Sequence, residues 1–405
     1  MKTERDYPQV HVTAKGTRWL ESNNPWVYES DVFETTGELN NGDIVDVISP
    51  KGKYLGSGFY SENSKIRVRI LSRNANDTFD RAFFKRRIEY AVRYRQAVMD
   101  DISCCRIVFG ESDELPGLTV DKYNEILVMQ VVSYGMDRIK GMLTELLIEV
   151  FRENGIEIQA VYERDDLSVR KLEGLEEQSG YLYCAEGFDE SKHETVINEN
   201  GIQYFVDYVS GQKTGFFLDQ KFNRKLVGEI AHGKKVLDCF THTGSFALNA
   251  AAGGAEKVVA MDISESAIET ARRNAALNGL EDRVEFEVGD TFDYLDKVSK
   301  REYDLIILDP PAFTKSRETV RNAYRGYKNI NARAMRLLGR GGYLVTCSCS
   351  HFMTRELFEK MLGEAAEEAG VTLKQISFTQ QAKDHPILMN VSETDYLKFY
   401  ILQVI

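Results

Sequence analysis

The sequence has little from which a covalent or metal framework could be built: six cysteines in 405 residues, none in a zinc-type CxxC pair with histidine partners. Free thiols are therefore expected, and no metal site. No apolar run approaches the ~18 residues that cross a bilayer. The start, Met1-Lys2-Thr3-Glu4-Arg5-Asp6, is polar with no signal-peptide core behind it, so a cytoplasmic protein without membrane contact is expected. An excess of positive charge is also missing: the formal net charge of −12 argues against a protein that coats nucleic acid indiscriminately.

What remains is ordinary globular material, 43% hydrophobic and 28% charged, long enough for two or three domains. One local exception to the acidic balance runs from Lys65 to Arg95. It holds Lys65, Arg67, Arg69, Arg73, Arg81, Lys85, Arg86, Arg87, Arg93 and Arg95 against Asp77, Asp80 and Glu89. It reads either as a solvated helix face or as a phosphate-contacting patch, with Arg86 and Arg87 the candidates.

Residues 1–75 carry short strand-like runs (Val10–Val12, Asp43–Ile48, Tyr54–Tyr60, Ile66–Ile70) and predict a small β-barrel. A helix follows, with Phe79, Phe83, Ile88, Ala91 and Val92 as its apolar stripe. Residues 76–190 predict a central α+β unit with a strand near 126–132 and a helix near 136–153. Asn200-Gly201 between two alternating runs predicts a hairpin. Across 191–405 the pattern turns to regular βα alternation, with strands at 235–239, 257–261, 283–287, 304–308 and 342–347. The expected fold is α/β, a doubly wound Rossmann-like sheet, with 372–378 and 396–403 as an antiparallel edge pair.

The first of these strands runs into a turn with one glycine, Asp238-Cys239-Phe240-Thr241-His242-Thr243-Gly244. A dinucleotide fingerprint would read GxGxxG, so a pyrophosphate cradle is disfavoured. The glycine is expected to let the backbone approach a ligand closely. Asp262 ends the next strand, placed for ribose hydroxyls, and Asp290 closes the third, placed for an adenine amino group. One acid at a strand end is commonly a helix cap. Three in succession suit a ligand with an amino group, a ribose and an adenine, and the pattern resembles class I methyltransferases that use S-adenosylmethionine.

The fourth strand ends Asp309-Pro310-Pro311-Ala312-Phe313. Two prolines fix a rigid turn. The run resembles the Asp/Asn-Pro-Pro-aromatic motif of nucleobase methyltransferases, which implies that Asp309 borders both cofactor and base while Pro310, Pro311 and Phe313 hold the base. The fifth strand ends Thr346-Cys347-Ser348-Cys349-Ser350. Cytosine C5 is not nucleophilic until a thiolate has added at C6, so a cysteine here could be the nucleophile. Strand alternation does not separate Cys347 from Cys349. Cys349 is preferred because it lies further into the loop, and because of the resemblance that follows.

Nearly the whole chain resembles the bacterial 23S rRNA cytosine-C5 methyltransferases of the RlmI type. The residues that carry the likeness are Pro25–Tyr28, Asp113–Asp121, Gly211–Gln220, Asp238–Phe240, Asp309–Pro311, Ser348–Ser350 and Asp384–Pro386. The resemblance implies a PUA domain, a central RNA-binding region and a class I catalytic domain, with 23S rRNA as partner. It also implies cofactor contacts from Gln212, Lys213, Thr214, Gly215, Phe217, Asp219 and Gln220, beside Asp238, Phe240, Thr243, Gly244, Asp262 and Asp290. His351 replaces the glycine of the family's Ser-Cys-Ser-Gly, and Ala312 stands where related enzymes keep a second cysteine. A mechanism with one cysteine and some other base is implied. A homodimer is compatible with the sequence. Competing readings are an rRNA guanine methyltransferase, a catalytically silent RNA-binding assembly factor and a small-molecule methyltransferase.

Overall fold

The computed structural model describes residues 5–314 and 317–405; the polar start at residues 1–4 lies outside the described residues. By contact the chain forms two units, each discontinuous in sequence. The first contains 1–195, 206–218 and 383–394, and the second 196–205, 219–382 and 395–405.

The first unit opens with β1 (Gln9–Val12), α1 (Ala14–Glu21), β2 (Trp26–Tyr28), β3 (Val32–Thr36), β4 (Ile44–Ile48), β5 (Tyr54–Tyr60) and β6 (Ile66–Ser72). The six strands form one sheet in the order β2-β6-β5-β4-β1-β3. Alternate valines at 10 and 12 and at 45 and 47, with Val68, fill its core, as the period of two dictates. Gly58 is fixed by proximity: a Cβ there would sit 2.0 Å from the Arg69 carbonyl oxygen on β6. Asp80 caps α2 (Arg81–Val98) by accepting from the Phe83 amide, and Phe83, Phe84, Ile88, Ala91 and Val92 form its buried stripe.

A five-stranded sheet follows, β11-β10-β9-β8-β7 in space, built from β7 (Cys104–Phe109), β8 (Leu118–Tyr123), β9 (Ile126–Val131), β10 (Ala160–Asp165) and β11 (Gln178–Cys184). The helix expected near 136–153 is two helices, α3 (Tyr134–Arg138) and α4 (Lys140–Glu153), broken at Ile139. The hairpin is present as β12 (Glu194–Glu199) and β13 (Ile202–Asp207). Asn200 and Gly201 both hold positive φ, 56° and 83°, as a two-residue turn of the primed type requires.

The second unit is the doubly wound sheet. After α5 (Lys221–Ile230) come β14 (Lys235–Cys239), α6 (Ser245–Ala252), β15 (Lys257–Asp262), α7 (Glu265–Leu277), β16 (Val284–Val288), α8 (Thr291–Leu295) and β17 (Leu305–Leu308). The chain continues through α9 (Val320–Leu337), β18 (Tyr343–Ser348), α10 (Arg355–Ala369), β19 (Leu373–Thr379) and β20 (Lys398–Val404). The order is β16-β15-β14-β17-β18-β20-β19, the first five parallel and β20 antiparallel to both neighbours. The winding reverses between β14 and β17, which opens a crevice at the carboxyl ends of the strands there. Leu237, Ile306, Leu344, Phe358 and Tyr400 belong to the core beneath it.

Candidate active site

Asp238 ends β14 fully buried. Its Oδ2 accepts from Thr241 Oγ1 (2.6 Å) and the Ala247 amide (3.0 Å), while Oδ1 is buried with no partner. Burial, with Asp309 and Asp262 nearby, pushes its carboxyl up to about 7. A buried carboxylate oxygen without a donor is costly, and a cationic amino group would satisfy it. Thr243 Oγ1 is likewise buried and unpartnered.

Asp262, at the end of β15, accepts from the His242 amide (2.9 Å) and the Ser264 amide (2.9 Å). Phe240 and His242 hold positive φ, 67° and 51°, rare for residues with a Cβ, and this curls the loop toward Asp262. Asp290 is exposed and uses Oδ1 to cap α8, accepting from the Phe292 (2.8 Å) and Asp293 (3.2 Å) amides. It is a helix cap first, with its second oxygen left for other use. Gly244 holds a φ of 85°, a conformation that favours glycine, and a Cβ there would meet Ala271 Cβ on α7 at 3.1 Å, so the packing of α7 also asks for a small residue at this turn.

Asp309 follows Leu308, which pairs with Thr346, so β17 and β18 bring the two remaining motifs together. Gln220 Nε2 donates to Asp309 Oδ2 (3.1 Å), and Gln220 Oε1 accepts from Asn223 (2.6 Å). Asp219 Oδ2 accepts from Tyr396 (2.7 Å). Pro310 is buried and Pro311 exposed. Phe313 is half-buried with its ring 4.6 Å from that of Tyr327.

The two thiols of β18 share parity but differ in access. Cys347 is fully buried, and burial, with Asp309 beside it, drives its thiol well above the ordinary range. Cys349 is half-buried between the buried Ser348 and Ser350, whose hydroxyls lie 3.1 and 3.3 Å from Tyr327 Oη. Tyr327 and Lys398 escaped the sequence reading. Lys398, a single charge in the apolar run Tyr396–Ile401, was a legible signal.

Gln212, Lys213, Thr214, Gly215 and Phe217 belong to the first unit. Lys213 lies over the Phe217 ring at 4.3 Å. Gly215 holds a φ of 128°, and a Cβ there would meet Val206 and the Asp207 backbone. Thr214 is spent internally: its hydroxyl donates to Asp121 (2.5 Å) and accepts from Tyr123 (2.9 Å). The same network ties Arg106 to Asp121, the Arg106 amide to Asp384, and Arg95 to Asp113 and the Asp384 carbonyl. Much of the polar pattern in Asp113–Asp121 and Asp384–Pro386 is thus structural. A cluster of Asp137, Glu163 and Asp165 in this unit is already countered by Lys140 and Arg170.

The basic island is less free than its sequence window suggests. Arg67, Arg69, Arg81, Lys85, Arg86, Arg87, Arg93 and Arg95 each face a carboxylate, mostly from outside that window. Arg87 pairs with Glu114, bonds the Leu71 carbonyl and packs on Phe83, with 13% of its side chain exposed. Arg86 is 44% exposed, with Asp77 at 3.6 Å.

Comparison with known proteins decides the family. The profile of S-adenosylmethionine-dependent methyltransferases matches residues 183–402, and that of the PUA-like domain matches 10–73. Ribosomal RNA large subunit methyltransferase I of Pseudoalteromonas atlantica is 40% identical over 94% of this chain and 95% of its own. That of Shewanella amazonensis is 40% identical over 95% and 96%. The chain belongs to the ribosomal RNA large subunit methyltransferase I family. A candidate S-adenosylmethionine-dependent methyltransferase from Streptococcus mutans shares the fold, with a TM-score of 0.80 at 21% identity over 98% of this chain and all of that one. S-adenosylmethionine is accordingly the cofactor, and the unpartnered Asp238 Oδ1 suits its amino group.

Among the described residues no helix is long and apolar enough to cross a membrane.

Proposed function

We propose that the protein methylates C5 of a cytosine in large-subunit ribosomal RNA, with Cys349 as the covalent nucleophile. The observation that carries this reading is the contrast between the two thiols after Thr346, the partner of Leu308: Cys347 is sealed and its thiol pushed well up by burial, whereas Cys349 is half-buried and open to solvent. The relatives named for ribosomal RNA methylation and the PUA-like segment support RNA as the partner. The cytoplasm, where ribosomes are made, is the place of action.

The cofactor supplies an electrophilic methyl group on a sulfonium. Asp238 would pair with its amino group, Asp262 with its ribose hydroxyls and Asp290 with the adenine edge. Asp219 and Gln220, with Phe240 and Thr243, would line the remainder. Asp309, braced by Gln220, and the turn at Pro310-Pro311 hold the cytosine edge while Phe313, backed by Tyr327, offers a stacking face. The Cys349 thiolate would add at C6 and make C5 nucleophilic toward that methyl group, and a base that takes the C5 proton would then let the thiolate leave. These groups come from one chain, so no second copy is required. Residues 1–75 and 76–190 serve as RNA-binding modules and 191–405 as the catalytic one.

RNA carrying 5-fluorocytosine tests the reading, because fluorine blocks the proton loss that precedes release. On denaturing gels the wild type and Cys347→Ala should retain a methyl-dependent adduct, and Cys349→Ala should lose both adduct and methyl transfer. The reverse pattern moves the role to Cys347. Transfer without any adduct would favour a guanine target.

A further inference from the structure

Lys398 begins β20 and pairs in register with Ser348, the residue before Cys349. Its side chain is 4% exposed. Two hydrogens of the ammonium are spent on backbone, the Ser350 carbonyl (2.7 Å) and the Tyr396 carbonyl (2.8 Å). Among the described residues no carboxylate forms an ion pair with it, although an ammonium taken out of water is costly without a counter-charge. Holding the Ser350 carbonyl places the charge one residue from the Cys349 thiol.

We infer that Lys398 is the positioning residue for the reaction, the cation that holds Cys349 as a thiolate and fixes the loop carrying it. The inference rests on Cys349 being the nucleophile. The step is balanced within the chain: the Cys349 S–H proton passes to the neutral Lys398 amine, giving ammonium and thiolate with no net change in charge. When the thiolate leaves C6 after transfer, it returns to the same partner. Burial lowers the Lys398 ammonium to about 8, while Cys349 and then Asp395 oppose the fall. That value is close to the ~8.5 of a free thiol, so the proton can sit on either group. Lys398 faces Cys349 and Asp395, and Cys349 in turn acts on Cys347 and Tyr327 as well as on Lys398. Lys398 is the only cation in this set.

The test is the pH dependence of iodoacetamide alkylation at Cys349 in the full chain, read by peptide mass spectrometry, with Cys184 as an internal reference thiol. In the wild type the midpoint should fall below the ~8.5 of free cysteine. Lys398→Met should raise it by about one unit or more, slowing alkylation near neutral pH about tenfold, while Lys398→Arg keeps it low. A wild-type midpoint at or above that of free cysteine overturns the inference without any variant, should Lys398→Met fold poorly. An unchanged midpoint in folded Lys398→Met overturns it too. A low midpoint in a protein that forms no 5-fluorocytosine adduct keeps the pairing and removes the nucleophile. An adduct with an ordinary midpoint does the opposite.

Discussion

On the assignment proposed above, Asp238 is the residue whose protonation would couple the fold to the cofactor. Its carboxyl rises from an ordinary 3.8 to about 7 on burial, so between those values the folded chain holds a proton that the unfolded chain has lost. Its contribution to stability therefore falls as pH rises through that window. A bound ammonium reverses the penalty, because only the carboxylate pairs with it. Calorimetry should find S-adenosylmethionine bound about tenfold more tightly at pH 8 than at pH 6. Asp238→Asn should bind weakly at both, and a wild-type affinity that ignores pH removes this role. Asp262→Ala should weaken binding by ~1–3 kcal/mol through lost ribose partners, which the same calorimetry checks. Asp238 and Asp262 were legible because each stands at the end of an apolar strand, whereas Asp290 follows a strand with two glutamates that is largely exposed. Burial was not: the sequence offered Cys347 and Cys349 as equals by parity, and only packing seals the first.

At the scale of elements, close backbone approach sets which changes are tolerated. Gly58→Ala would press a Cβ against the Arg69 carbonyl and part β5 from β6, costing ~1–3 kcal/mol. Thermal unfolding should show the loss and RNA affinity should fall with it, while S-adenosylmethionine affinity holds; equal melting would show that the strands can shift. The parallel strands of the second unit were found in the sequence to within a residue or two, since those buried on both faces are apolar runs between helical patterns; the edge strand β16, largely exposed, was placed by its position in the βα alternation. In the first sheet α1, β2 and β3 went unseen. They are short, and β3, Val32–Thr36, is half-exposed to exposed throughout, so no alternation marks it. The break at Ile139 likewise has no glycine or proline to announce it.

For the whole molecule, a net charge of −12 means that RNA must be met by particular cations rather than by a general field. The window around Arg86 suggested a free basic patch because the carboxylates that answer it, Glu111, Glu114, Glu145, Glu149, Glu153 and Glu173, lie far along the chain. Arg86→Glu should weaken RNA binding and lower the slope of its salt dependence by about 1, with cofactor affinity unchanged. Arg87→Glu should unfold the region instead, because Arg87 braces Phe83 and Glu114. An unaltered salt slope for Arg86→Glu would make the island solvated surface. The position of β20 also bears on how the chain is made. In the chain β20 follows β18 and β19, yet in the sheet Lys398–Val404 lies between them, so it must enter after both are present. Until it does, both strands have open edges and Cys349 lacks its lysine. On the assignment proposed above, the thiol is therefore armed only once β20 has docked.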